Sequence, residues 1–201
     1  FFFLFFFSIL FFFFFLMIRR PPRSTLDRSS AASDVYKRQN LMLAMEKINA
    51  QLYIAGEGDL SKELRYFASQ LPHANKIRFL GYVRPAELKQ YTLQAKLGVN
   101  FIENMGLSYY FSLSNKFFDY IHAGLPQVTM NFPEYKKLND QYHVALLIDD
   151  LEPITIAKNI NQLISDATLY ENLKNNCRNA AQELNWQKEE KDLIKFYNDI
   201  P

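Results

Sequence analysis

Lys116 and Asp119, within the stretch SNKFFDYIHAGLP at 114–126, are the pair in this chain whose types and spacing best suit chemistry on a phosphate ester. On a helix, residues three apart lie on nearly the same face. Ser114 or Asn115 can cap the start of such a helix. The unpaired N–H groups of a helix start favour an anion, and a lysine in that turn adds positive charge. An acid one turn further on can accept hydrogen bonds from a ribose diol. That combination suits a nucleoside diphosphate. On spacing alone, a solvated Lys–Asp pair on an amphipathic helix fits equally well.

Other candidates are weaker. Gly56-Glu57-Gly58 has the look of a phosphate turn, but a dinucleotide fingerprint needs a third glycine opening the helix, and Leu60-Ser61 does not supply it. A sharp strand-to-helix turn is the expected role. His73, His122 and His143 lack metal-ligand spacing and are expected to be surface or packing residues. Tyr109, Tyr110 and Phe111 either line a pocket or pack their own loop. Trp186 is expected to anchor the last helix.

The elements that must position these residues alternate in type. Strands are predicted at 51–55, 77–80, 97–102, 127–130 and 144–148, each a short apolar run closed by glycine, proline or a polar turn. Helices are predicted at 60–71, 85–94, 115–123, 133–138, 153–165, 168–184 and 186–200, with a helix ending near Ile48 ahead of them. Residues 104–113 read as a loop. Strands alternating with helices imply parallel strands with right-handed crossovers, hence an α/β fold built on a Rossmann-like open parallel sheet. Such sheets bind ligands at the carboxyl ends of their strands.

Residues 1–39 differ in character. Eleven of the first seventeen are phenylalanine. Codon by codon, Met17–Thr25 and Ser29–Gln39 resemble translated sequencing-library adapter, and the phenylalanines resemble translated poly-T. The segment is therefore expected to be non-native and is excluded from the fold expectations. The alternative is a hydrophobic anchor over 1–18 flanked by Arg19, Arg20 and Arg23. The whole chain has 23 basic and 21 acidic residues; six basic and two acidic ones fall in 1–39, leaving 17 against 19. That balance does not suggest nucleic acid as a partner. The 162 residues of 40–201 suffice for one domain. The single cysteine, Cys177, allows no internal disulfide, which fits a reducing, cytoplasmic setting.

The stretch at 114–126 resembles the P-N-K-x-F-E-Y-x-x-x-G-x-P element of retaining family-4 glycosyltransferases of GT-B architecture. LYIAGEGDL (52–60), IRFLGYV (77–83), LGVNFI (97–102) and NWQKEEK (185–191) resemble that family in the same order. The resemblance covers essentially all of 40–201 and implies the C-terminal, donor-binding domain. It implies that Asp119 matches the second glutamate of the E-x7-E motif and binds the nucleotide ribose. Ser114, Asn115, Lys116, Gly106 and Leu107 would lie near the diphosphate and sugar, and Gly81, Tyr82 and Val83 would flank the base. The first glutamate of the motif falls at Phe111, a departure from the pattern. The implied partners are a nucleoside-diphosphate-sugar donor and, through a preceding N-terminal domain, a sugar or lipid-linked acceptor, with peripheral membrane association open. No metal or other cofactor is required. The alternatives are a nonenzymatic nucleotide-binding domain with the same sheet and a Rossmann oxidoreductase, the latter disfavoured by the absent third glycine.

Overall fold

The computed structural model describes residues 13–17 and 27–199, with side chains from Tyr36 onward apart from Asp192. Apolar runs form strands β1 (Phe13–Met17), β2 (Gln51–Ala55), β3 (Ile77–Gly81), β4 (Leu97–Asn100), β5 (Gln127–Met130) and β6 (Ala145–Ile148). They make one sheet in the order β3-β2-β1-β4-β5-β6, and every neighbouring pair is parallel. All four residues of β4 and of β5 are buried, with no polar-out alternation. Strands covered on both faces have that pattern.

The helices are α1 (Asp27–Ala44), α2 (Ser61–Ser69), α3 (Pro85–Gln94), α4 (Leu107–Tyr110), α5 (Asn115–His122), α6 (Pro133–Tyr142), α7 (Pro153–Ser165), α8 (Ala167–Glu183) and α9 (Trp186–Asn198). Proline opens α3, α6 and α7, where a missing N–H costs nothing. Helix α1 packs against α2 and α7, α3 lies near β1, and α8 spans α5, α6 and α7. In α1, Asn40, Leu41, Met42 and Ala44 are buried, while Tyr36 is exposed. Asn40 Nδ2 donates to the Leu151 carbonyl at 2.9 Å, tying α1 to the entry of α7.

Several expectations change. The five strands predicted from residue 51 onward become six among the described residues, because Phe13–Met17 lies between β2 and β4. Phe13 stands opposite Gln51, and Phe14 opposite both Leu52 and Leu97. An unbroken apolar run has the composition a fully covered strand requires. The expectations for 1–12 and 18–26 lie outside the described residues. The 104–113 loop contains the short helix α4. Helix α6 runs on to Tyr142 and ends in left-handed His143, at φ 49°. There the Asn139 side chain accepts from the backbone N–H groups of Val144 and Ala145, so the turn is satisfied locally.

Trp186 corrects the expectation of an anchor. It is 62% exposed, and Ile194, Phe196 and Tyr197 on the same helix are exposed as well. Among the described residues, none covers these apolar side chains of α9. Cys177 is fully buried, and its Sγ lies 3.5 Å from the Val144 carbonyl. Burial pushes its thiol up to about 12.

Candidate functional site: a cleft at the carboxyl ends of the strands

The chain builds β1, β2 and β3 outward in one direction, then crosses back to β4 on the other side of β1. The reversal between β1 and β4 is the topological switch point, beside which open α/β sheets place their ligands. Helix α5 is held close to this point by a glycine. A Cβ on Gly98 would lie 2.6 Å from Tyr120 Cδ2 and Cε2, so only hydrogen leaves room for the buried Tyr120 ring on β4. Gln127 Nε2 on β5 adds a bond to the Phe117 carbonyl at 3.0 Å.

The start of α5 is fixed differently from the sequence expectation. Ser114 occupies the cap position, but its hydroxyl makes no bond to the first turn. It donates instead to Asn100 Oδ1 at 2.9 Å, while Ser114 N–H donates to the Tyr135 hydroxyl at 2.8 Å. Asn100 Nδ2 in turn donates to Thr129 Oγ1 at 3.3 Å. The buried polar groups at the ends of β4 and β5 thus claim Ser114, and no side chain caps α5. The helix ends on Gly124 at φ 62°, with Leu125 N–H bonded to the Tyr120 carbonyl at 2.9 Å and Gly124 N–H to that of Ile121 at 2.9 Å. This pair of hydrogen bonds around a left-handed glycine stops the helix after His122.

The opposite wall comes from β2, β3 and α3. Gly56 N–H donates to the Gly81 carbonyl at 2.7 Å, with both glycines at positive φ. Glu57 Oε1 lies 3.3 Å from where a Cβ on Gly81 would sit, so that position is doubly restricted to glycine. The Ser61 hydroxyl and the Arg65 guanidinium hydrogen-bond Glu57 and hold its carboxyl below the ordinary glutamate value. Gly58 N–H donates to Ser61 Oγ at 2.8 Å, closing the sharp turn expected here.

Between these walls lies a cleft of about 860 Å³. Of the predicted site residues, Asp119, Tyr82 and Val83 line it. Gly81 lies just behind, at the end of β3. Ser114, Asn115 and Lys116 lie at the start of α5, and Gly106, at φ 132°, opens α4 ahead of the exposed Leu107; these five do not line the cleft. Tyr110 packs on Phe132 with ring centroids 5.2 Å apart, while Tyr109 and Phe111 are exposed and none of the three lines the cleft. Of the histidines, His73 is buried with Nε2 2.8 Å from the Met42 carbonyl, and His122 lines the cleft.

Sequence reasoning missed part of the lining. Pro85, Leu88, Lys89 and Thr92 line the cleft from α3, and His122 of α5 and Ala123 just after it accompany Asp119. Both sets recur at helical spacing, the signal that could have found them. Among the described residues no three His, Cys, Asp or Glu side chains converge on a possible metal position. Among the described residues no helix is long and apolar enough to cross a membrane.

Residues 25–183 match the family model described as "Glycosyl transferases group 1". The chain belongs to that family. As a group 1 glycosyltransferase domain it resembles solved structures throughout its sheet. Anabaena HepE, solved in complex with UDP, is 16% identical, with 94% of this chain and 49% of that one covered at a TM-score of 0.72. Sucrose-phosphate synthase from Thermosynechococcus elongatus is 16% identical, covering 94% of this chain and 45% of that one at 0.69. Staphylococcus aureus TarM is 19% identical, covering 92% and 34% at 0.64. The chain spans less than half the length of each. At these identities the likeness shows the fold, an open Rossmann-like sheet of the GT-B type. No curated protein sequence matches the chain.

Proposed function

We propose that this chain is the nucleotide-sugar-binding domain of a retaining family-4 glycosyltransferase that moves a hexosyl unit from a nucleoside-diphosphate sugar to an acceptor hydroxyl. The observation that carries the reading is that Asp119 shares one cleft with Tyr82 and Val83 at the carboxyl ends of the strands. In this reading the base lies against Tyr82 and Val83, beyond Gly81, and the ribose hydroxyls donate to the Asp119 carboxylate. The diphosphate lies toward the start of α5, where backbone N–H groups carry no side-chain cap and Lys116 stands in the first turn. Ser114, Asn115, Gly106 and Leu107 border the diphosphate and sugar.

The chemistry asks little covalent work of the protein. The leaving diphosphate gains charge as the glycosidic bond breaks, and a positioned lysine with oriented amides favours that charge most in the transition state. No metal enters the scheme. Acceptor recognition belongs to a second α/β domain preceding residue 40 in the whole protein, in place of the non-native segment proposed for 1–39. The half-length coverage of the solved neighbours supports this division.

Titration calorimetry of the chain with UDP, GDP, ADP, their glucose or mannose conjugates and NAD tests the reading. One diphosphate series is expected to bind, NAD is not, and no sugar is transferred by this chain alone. Binding of NAD in preference to every diphosphate would contradict the donor assignment. Sugar transfer by this chain would contradict the placement of acceptor recognition elsewhere.

A further inference from the structure

Glu103 lies in the segment between β4 and α4, and is the only carboxylate between Phe101 and Leu113. The backbone around it is held by short local bonds. Met105 N–H donates to the Glu103 carbonyl at 3.0 Å, and Gly106 N–H donates to Asn104 Oδ1 at 3.3 Å. Phe101 is buried and Ile102 packs on the core, so the segment is anchored ahead of the acid. Glu103 Oε2 is buried and has no hydrogen-bond partner among the described residues.

A carboxylate oxygen removed from water without a donor is costly, and a folded chain that keeps one in place requires an explanation. The missing group must be a donor, because an ionised carboxylate only accepts. A phosphate, itself an anion, would be repelled. In a nucleoside-diphosphate sugar the remaining donors are base N–H groups, ribose hydroxyls and sugar hydroxyls. The base and ribose belong to the β2–β3 side of the cleft and to Asp119. Glu103 leaves β4, on the other side of β1 from those strands. We infer that Glu103 accepts hydrogen bonds from hydroxyls of the donor sugar and so selects the sugar rather than the nucleotide. This rests on the donor-site reading above, and Phe111, exposed and apolar, offers no competing acceptor on the same segment.

The test compares each bare diphosphate with its sugar conjugate by calorimetry, using UDP and UDP-glucose, GDP and GDP-mannose, and ADP and ADP-glucose. Glu103→Gln is expected to weaken the bound sugar conjugate about tenfold or more while leaving the bare diphosphate unchanged. Glu103→Asp, which keeps the charge at shorter reach, is expected to give a smaller loss confined to the conjugate. The thermal midpoint of ligand-free Glu103→Gln is expected to equal or exceed the wild type, since an amide replaces the carboxylate whose buried oxygen has no partner among the described residues. Equal loss for both ligands, no loss for either, or a lowered midpoint with ligand binding intact would overturn the role assigned to Glu103. If wild type binds none of the diphosphates, the donor-site reading fails, and this inference with it.

Discussion

A Cβ placed on Gly98 of β4 would come within 2.6 Å of two ring carbons of Tyr120 on α5. The ring is fully buried, and its hydroxyl lies 3.4 Å from the Val99 carbonyl, so it has no space into which to move. This contact sets the distance between the sheet and the helix that carries Asp119. Gly98→Ala is therefore expected to destabilise the fold by about 1–3 kcal/mol through overpacking, and to weaken nucleotide binding by displacing α5. Urea unfolding beside a nucleotide titration checks both; an unchanged midpoint would show that the sheet–helix distance is not set here.

Cys177 is enclosed by α8, the turn at Leu125 and the start of β6, and burial raises its thiol to about 12. At pH 8 a disulfide reagent should find almost no thiolate in the folded chain. The expected result is no labelling under native conditions and one equivalent in denaturant. Rapid native labelling would show that α8 opens readily from the sheet.

Helix α9 exposes Trp186, Leu193, Ile194, Phe196 and Tyr197, five large apolar side chains on thirteen residues. A helix without packing of its apolar face gains little beyond its own hydrogen bonds. Amide exchange in α9 is expected to be faster than in β3 and β4 by several orders of magnitude, measured by mass spectrometry. Equal protection would mean that α9 is docked by contacts stronger than its exposure implies.

Much of this architecture is legible in local pattern. The strands at 51–55 and 127–130 and the helices at 85–94 and 153–165 fall at their expected residues, because apolar runs, opening prolines and closing glycines are local signals. The helix bearing Lys116 and Asp119 is marked by its Gly124 stop and its spacing, though the side-chain cap expected of Ser114 or Asn115 does not form. What escaped depends on distant partners. Ser114 gives its hydroxyl to Asn100, a choice set by the closeness of β4 and α5 rather than by its own neighbours in sequence. Glu57 reaches the cleft only because β2 and β3 pair with their ends level, through the Gly56–Gly81 bond. Trp186 has the composition of an anchor, yet among the described residues no surface receives it. The strand at 13–17 lies between β2 and β4 and pairs with both, a position that cannot be read from residues 13–17 themselves.

The donor-site reading turns on whether Asp119 accepts hydrogen bonds from a ribose. The most direct measurement is a cycle of calorimetric affinities: wild type and Asp119→Asn, each with a nucleoside diphosphate and with its 2′-deoxy form. A charge-assisted hydrogen bond is worth roughly 1.5–3 kcal/mol, so wild type is expected to prefer the ribose form and Asp119→Asn to lose most of that preference with its fold intact. The same preference in both proteins would contradict the account, and would leave Asp119 with no part in binding the ribose.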